Sequence, residues 1–402
     1  MGKKLFVIVA VVCILLLSSC AIKRNDLKSM DQLDSPTLDE TTSTQTDQNL
    51  DNPTAVTPEP KSTFVQSLSD DGKIYLKGTV SKMVQVDAPV IGTKDLGEQT
   101  ADIMLAKIQI ITDDQAKAAF LETQEIKTLD HKDDMGGSPY SLYTLANGNQ
   151  IYTLGYGAGY STPPSLFIRQ SIQADPTLPF YDLDLFSKTS EWPFSTRAEA
   201  ISNIKNAFSA MGIDVADDYI GYSLDYQTMA DTNKKMAEEF GANTVAGYPG
   251  AFKNNWSSED NCYYFVFEQE MNGLPIINES HGDPNVRYSE GSQLSALYSK
   301  NGIEDASVLF TYTFISIDQP AVKTISLDSA LSKLDDTLNQ MILSNTQTVR
   351  TIKYGYLPLI PEKSTENREM VPCWAFQIMS DSGSLITATW IFINAVTGEE
   401  IQ

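Results

Sequence analysis

The sequence has 402 residues and a formal net charge of −23 at pH 7, and 42% of its residues are hydrophobic. A chain this acidic is not expected to bind nucleic acid or to be held on anionic lipid by its charge. Its length and ordinary hydrophobic content predict a globular protein divided into two or three domains of ~100–200 residues each.

The N-terminus predicts export to the cell envelope. Lys3 and Lys4 precede an apolar run over residues 5–17. This run is shorter than the ~20 residues that a membrane-spanning helix needs. Charged residues, a short apolar run and small residues before a cleavage site are typical of a secretory signal.

The residues Leu17-Ser18-Ser19-Cys20 resemble a bacterial lipobox, in which the cysteine carries the lipid and becomes the first residue of the mature chain. The resemblance implies a lipoprotein signal peptide over 1–19 and a lipid such as palmitate on Cys20. We therefore expect a protein that is lipid-anchored to the cell membrane on its extracytoplasmic side, with the membrane as a partner through Cys20.

Residues 20–62 predict a disordered tether. They are rich in Ser, Thr, Asp, Gln, Asn and Pro and contain no aromatic residue. Such a segment cannot bury enough apolar surface to offset the entropy that is lost when it becomes ordered. With ~5–6 Å × √n for about 40 residues, its typical reach is roughly 35 Å.

Residues 64–185 predict a small N-terminal α+β domain that is rich in antiparallel strands. Alternating apolar residues favour strands, and Asn-Gly between two such runs is a strong hairpin signal. The predicted elements are strands over 73–86 and 103–112, a short helix from Asp113, a hairpin that turns at Asn147-Gly148 and a strand over 165–172.

The second half of the chain repeats one order of elements, which is helix, strand, strand and hairpin turn. The two copies contain helices capped by Thr196 (with Glu199) and by Asp328, strands over 217–226 and 349–360, and strands from Cys262 and Cys373 to turns at Asn272-Gly273 and Ser382-Gly383. The extra residues of the first copy, within 227–260, predict a surface helix and a loop. The shared order favours an internal duplication.

Three segments in this half resemble PepSY-type domains and their relatives. Residues 390–401, WIFINAVTGEEI, resemble the last strand of PepSY domains, which ends in Asp/Asn-Ala-x-Thr-Gly-Glu. Residues 267–276, FEQEMNGLPI, resemble a hairpin of the propeptide modules paired with PepSY domains and of YycH/YycI-type regulators. Residues 299–303, SKNGI, fit the same linkage.

The resemblance implies two PepSY-like modules, over 190–320 and 321–402, in each of which a helix packs on an antiparallel sheet. The expected fold class is therefore α+β, with the strand-rich domain over 64–185 in front of these modules. Relatives of this kind are non-catalytic, and they inhibit or chaperone a peptidase or regulate a sensor kinase. We expect a non-enzymatic binding or regulatory module for an envelope protein or peptide.

No cofactor, metal or catalytic site is predicted. The only histidines, His131 and His281, have unrelated neighbours and lack the spacing of a metalloprotease site. Asp130, Asp133 and Asp134 beside His131 offer oxygen ligands for a hard cation, but their spacing is not that of a calcium loop. Polar loops are the simpler interpretation of both histidine segments.

Serine and glycine patterns also favour structural roles. Ser202-x-x-Lys205 lacks the companion motifs of penicillin-recognising enzymes and is expected on a solvated helix surface. The Gly155-x-Gly157-x-Gly159 segment lacks the following helix of a nucleotide loop, although its neighbouring tyrosines offer a binding surface.

Two alternatives to the binding module remain open. A hydrolase of envelope polymers would bring carboxylates together in one cleft, and the candidates are Asp182, Asp184, Asp217 and Asp218. A passive structural lipoprotein would have neither a concave apolar patch nor a partner.

The cysteines of the folded part, Cys262 and Cys373, occupy equivalent places in the two copies of the repeat. Export permits a disulfide between them, but the pattern favours small buried side chains on core strands.

Overall fold

The structure, a computed structural model, describes residues 63–401 with gaps at 69–71, 122, 133–139, 173–182, 184, 241–252, 280–290, 341–344, 362–365 and 382–385. The predicted signal peptide over 1–19, the lipidation site Cys20 and the tether over 20–62 lie outside the described residues.

The protein is a mixed α+β fold with strand-rich sheets and few helices. The strands are β1 (Thr63–Leu68), β2 (Ile74–Thr79), β3 (Val84–Ile91), β4 (Gln99–Ile108), β5 (Ile126–Lys132), β6 (Tyr140–Leu145), β7 (Gln150–Leu154), β8 (Gly157–Ser161), β9 (Val215–Leu224), β10 (Cys262–Met271), β11 (Leu274–Pro275), β12 (Gln293–Ser299), β13 (Gly302–Leu309), β14 (Tyr312–Thr324), β15 (Gln347–Leu359), β16 (Asn367–Asp381) and β17 (Ile386–Asn394). The α-helices are α1 (Asp113–Phe120), α2 (Ser165–Ser171), α3 (Arg197–Ala210), α4 (Tyr226–Phe240) and α5 (Leu327–Gln340).

The strands form two sheets, which we call sheet 1 and sheet 2. Sheet 1 has the order β1-β2-β3-β15-β16-β4-β14, and β17 also pairs with β16. Sheet 2 has the order β11-β10-β12-β13-β8-β7-β6-β5, and β9 also pairs with β10. Strands β3 and β15 run parallel, whereas the repeat strands β9 and β10, and likewise β15 and β16, are antiparallel.

The predicted N-terminal range 64–185 does not form a sheet of its own among the described residues. Strands β1 to β4 belong to sheet 1, whereas β5 to β8 belong to sheet 2. Each sheet therefore combines part of this range with one copy of the repeat, and the chain from Ser62 to Gln402 forms one compact unit. Alternation along a strand identifies the strand, but its partner depends on apolar surfaces far away in the sequence.

Several local predictions are confirmed. Thr196 caps α3, because its side chain accepts a hydrogen bond from the Glu199 backbone N–H while the Glu199 carboxylate accepts one from the Thr196 N–H. Strands β6 and β7 form the predicted hairpin, in which Gly148 has a φ of +91°. Such a backbone conformation favours glycine. Helices α1 and α4 lie where the sequence places a short helix and a surface helix.

Two local predictions are wrong. Residues 165–171 form helix α2 instead of a strand, because Ile168 and Ile172, which directly follows the helix, are both buried four residues apart. Asp328 does not cap α5 but lies in its first turn. The capping side chain is Ser326, whose hydroxyl accepts a hydrogen bond from the Ser329 N–H.

Each copy of the repeat places its helix on a different sheet. Leu331, Leu334 and Leu338 of α5 share a core with Trp374 and Phe376 of sheet 1. In the same way, side chains of α3 share a core with sheet 2, and the residues involved are Ile204, Phe208, Phe265 and Phe267. Full burial of one such side chain is worth about 1.5–3 kcal/mol, so these faces stabilise the two helices.

Strand β11 joins the two sheets. Ile276, just after β11, forms an isolated parallel bridge with Tyr356 of sheet 1. Nearby, the Gln269 side chain donates to the Tyr312 carbonyl and accepts from the Tyr312 N–H, both at 2.7 Å. Buried hydrogen bonds of this kind fix how the sheets meet, since an unpaired buried polar group costs about 1–3 kcal/mol.

Gly355 allows this close approach, and Gly355→Ala should destabilise the protein by about 1–3 kcal/mol. A Cβ atom at Gly355 would lie 2.3 Å from the Pro275 carbonyl oxygen, so backbone would have to move. Urea unfolding of the variant measures the effect. Gly97→Ala is the matched control, because its Cβ would approach only the flexible Asp95 side chain, at 3.2 Å. Equal effects of the two substitutions would contradict the tight junction.

Candidate functional site

A groove of about 850 Å³ lies between helices α1 and α3 and the ends of strands β8, β12 and β13. The two helices and sheet 2 belong to one hydrophobic core, which holds the groove walls in place. Both helices present small side chains to the groove, and these are Ala118, Ala119, Ala207 and Ala210. Small side chains at these positions leave the space open.

One face of helix α3 packs into the core, and an adjacent face lines the groove. Ile204 and Phe208 point into the core and are fully buried. The groove is lined by Asn203, Asn206, Ala207 and Ala210, which have the spacing of one helix face. The groove therefore runs along the edge of the helix that adjoins its buried face.

Carboxamides and tyrosine hydroxyls supply most of the polar groups of the groove. Asn203 Nδ2 donates to Tyr298 Oη at 2.8 Å, and Asn149 Nδ2 donates to Tyr160 Oη. The Tyr160 ring also stacks on Phe120 at 5.1 Å with an interplanar angle of 12°. These contacts orient both tyrosines and leave carboxamide oxygens as acceptors in the groove.

Among the described lining residues, Glu304 alone carries a formal charge, and it is 4% exposed. Its carboxylate accepts hydrogen bonds from Ser299 Oγ at 2.6 Å, from Asn301 Nδ2 at 2.9 Å and from the Thr162 hydroxyl. Three donors account for much of the accepting capacity of a carboxylate. Glu304 thus holds the β12–β13 turn, and the groove offers neutral donors and acceptors to a ligand.

The carboxylates that a hydrolase would need are not brought together in the described part of the chain. Asp217 is exposed and lies 3.2 Å from Lys205 Nζ, whereas Asp218 accepts a hydrogen bond from the Gly92 N–H at 2.9 Å. The two are successive residues of β9, so their side chains point to opposite faces. Asp182 and Asp184 lie outside the described residues.

His131 belongs to a hydrogen-bond network that the sequence did not reveal. Its Nδ1 lies 3.0 Å from Ser141 Oγ, which donates to Asp113 at 3.1 Å. In a catalytic triad the histidine stands between serine and aspartate, whereas here the serine stands in the middle. Ser141 is also only 3% exposed, so the arrangement does not present a nucleophile.

Asp113 is the centre of this network. Its carboxylate also accepts from Tyr143 Oη at 2.6 Å and from Thr153 Oγ1 at 2.5 Å. Burial would raise the pKa of Asp113, but the hydrogen bonds from Thr153, Tyr143 and Ser141 outweigh it and lower that pKa. Burial and the bond to Asp113 raise the pKa of Tyr143 to about 12.

Asp113→Asn should make the protein less stable at neutral pH but not in acid. Because folding lowers the pKa of Asp113, its ionised form contributes stability that is present above the unfolded pKa of about 3.9 and is lost as the pH falls through the folded pKa. We expect a loss of about 1–2 kcal/mol at pH 7 that shrinks towards about pH 3. Urea unfolding across this range tests it.

Asp114→Asn is the control for this experiment, because the Asp114 side chain is 92% exposed and pairs only at the surface, with Lys117. A difference between Asp113→Asn and the wild type that does not change with pH would contradict the assignment.

The remaining sequence candidates are the possible metal ligands and the glycine-rich segment. His281, Asp133 and Asp134 lie outside the described residues, and no cluster of three or more potential metal-binding side chains occurs within them. Gly157 and Gly159 lie in β8, where they pair with β7 and β13.

Cys262 and Cys373 are both free and fully buried, so the predicted core placement agrees with the structure. Burial raises the pKa of each thiol, which disfavours the nucleophilic thiolate form.

Among known proteins, the sequence matches no protein-family model and no curated protein. The fold is similar to the crystal structure of an uncharacterized protein from Eubacterium rectale ATCC 33656, with a TM-score of 0.64 and 16% sequence identity over 82% of this chain and 93% of that chain. This likeness establishes a shared fold. The Bacillus megaterium YpeB C-terminal domain is a weak neighbour, with a TM-score of 0.30 and 12% identity over 73% of this chain and 97% of that chain.

A membrane-spanning helix does not occur within the described ranges, where no helix is both long and apolar enough to cross a bilayer.

Proposed function

We propose that the protein is a lipid-anchored, extracytoplasmic lipoprotein that acts as a non-enzymatic binding or regulatory module for an envelope protein or peptide. The groove beside α3 carries this proposal, because it is concave and lined by neutral hydrogen-bonding groups. The carboxylate of Glu304, which lines the groove, is engaged by three donors and so is poorly suited to acid–base chemistry.

We also propose that residues 190–320 and 321–402 are two PepSY-like modules. Support comes from the repeated order of α3, β9 and β10 in sheet 2 and of α5, β15 and β16 in sheet 1. The sequence resemblance at 267–276 falls on the end of β10 and on β11, whereas that at 390–401 falls on the end of β17 and the residues after it. In this proposal the range 64–185 extends both modules by adding strands to each sheet.

Crosslinking of the full-length protein in intact cells, followed by identification of what co-purifies, tests the proposal. Cys20→Ala is the control that removes the lipid site, and a labelled fatty acid should mark the wild type but not the variant. We expect one recurrent envelope protein or peptide with the wild type and much less of it with Cys20→Ala.

Equal labelling of the two proteins would reject the anchor. Recovery of abundant neighbours at background level would reject the binding role and favour a passive structural lipoprotein. Turnover of an envelope polymer by the purified protein would instead favour the hydrolase alternative.

A further inference from the structure

We infer that the groove beside α3 binds an extended peptide segment without charged side chains, and that the carboxamides of the groove pair with its main chain. The inference rests on the proposed function and names the ligand class of that site. Its volume of about 850 Å³ lies within the range of pockets that enclose a ligand, which is about 300–1,000 Å³.

The first argument is the shape of the groove. Ala118 and Ala119 of α1 and Ala210 of α3 face it, and Pro163 and Pro164 add a rigid wall beyond β8. A long side chain at any of the three alanines would occupy the space. Ala118 and Ala210 are exposed, so this space is open to solvent and accessible to a partner.

The second argument is the chemistry of the carboxamides. A carboxamide carries one acceptor oxygen and two N–H donors, so it matches the C=O and N–H of a peptide group. Asn203 uses Nδ2 for Tyr298 and keeps its oxygen as an acceptor. Asn206, three residues further along the same helix face, has no side-chain hydrogen bond to any described residue. Both side chains can therefore bond to a main chain that lies along α3.

The third argument is charge. Apart from Glu304, which is buried and bonded, the lining residues that the structure describes include no Asp, Glu, Lys or Arg, although these residues make up 20% of the chain. A charged ligand side chain would lose part of its hydration here and would meet no opposite charge among the described lining residues. Sugar hydroxyls would find no free carboxylate acceptor among the described lining residues, and each of the two tyrosine oxygens already accepts one bond, from Asn149 or Asn203. A peptide main chain fits these groups better than a glycan does.

The experiment selects random heptapeptides displayed on phage with the full-length protein and measures binding of one synthetic selected peptide. Ala210→Arg fills the groove and should weaken binding at least tenfold. Ser209→Arg is the matched control, because Ser209 is also exposed on α3 but does not line the groove. Asn206→Leu keeps the side-chain size, removes the carboxamide and should weaken binding about tenfold. Ser202→Leu is its control on the same helix.

We expect the selected peptides to lack acidic and basic residues. The inference is overturned if no peptide binds, if conserved charged residues appear in the selected peptides, or if Ala210→Arg and Ser209→Arg bind alike. Binding of chitotriose that is lost in Ala210→Arg would overturn it in favour of a glycan. These results test only the ligand class of the groove. The proposed binding function is tested independently, by recovery of a partner through crosslinking in cells.

Discussion

Replacing Lys353 with methionine should lower the free energy of unfolding by about 3–5 kcal/mol, because it leaves a buried carboxylate without its partner. Lys353 of β15 is 3% exposed, and its Nζ lies 2.7 Å from Glu268 of β10. The same nitrogen lies 2.6 Å from Glu279 and 2.6 Å from Asn278 Oδ1. Lys353 of sheet 1 therefore pairs with the carboxylate of Glu268, which lies in β10 of sheet 2, and with that of Glu279, which follows β11.

The charges of this cluster explain the size of the effect. Burial would lower the pKa of Lys353, but the charges of Glu268 and Glu279 outweigh it and raise that pKa, so the lysine stays charged. Burial raises the pKa of Glu268, and the nearby charge of Glu279 acts in the same direction against the attraction of Lys353. Without the lysine, Glu268 must be buried as an unpaired anion or take up a proton.

Two comparisons isolate this effect in urea unfolding. Glu268→Gln should cost clearly less than Lys353→Met, because Lys353 keeps Glu279 and no buried charge is left alone. Lys205→Met removes an ion pair with Asp217, which is fully exposed, and should cost less than about 1 kcal/mol. If Lys353→Met also cost less than about 1 kcal/mol, the cluster would not join the sheets.

Trp374→Ala should cost about 3–5 kcal/mol, since it empties the largest fully buried side chain from the core of sheet 1. The Trp374 ring lies 4.6 Å from the Tyr354 ring, and its Nε1 donates to the Ile325 carbonyl at 3.0 Å. The substitution removes these contacts and leaves the Ile325 carbonyl without this donor. Urea unfolding followed by circular dichroism measures the change.

Both sheets should respond to Trp374→Ala in one transition, because the chain from Ser62 to Gln402 forms one compact unit. Phe314→Ala is the control, since Phe314 is 49% exposed on β14 and its loss should cost less than about 1 kcal/mol. Two separate transitions, with only one shifted by Trp374→Ala, would contradict a single cooperative unit.

Short-range signals made much of the local structure predictable. The Thr196–Glu199 capping box and the Asn147-Gly148 hairpin depend on neighbouring residues only, and both are found where the sequence places them. The prediction over 165–172 failed because the β-branched and aromatic residues of SLFIRQSI favour a strand, whereas burial of one face makes residues 165–171 a helix. Its two isoleucines, four residues apart, were the available helix signal.

The long-range organisation was not predictable in this way. Strand β3 pairs with β15 across most of the chain, and nothing in either strand specifies the other. The groove draws its residues from five separate segments, so no single motif marks it. For Lys353 a signal did exist, because a lysine inside an apolar strand must meet an opposite charge when it is buried.

The most direct test of the binding role places a photo-crosslinking amino acid at Ala210 and, as a control, at Ser209 in the full-length protein in intact cells. The two positions are neighbours on α3, but only Ala210 lines the groove. The account predicts one recurrent protein or peptide adduct from position 210 that position 209 does not give. The same adducts from both positions, or none from position 210, would contradict a binding role for the groove.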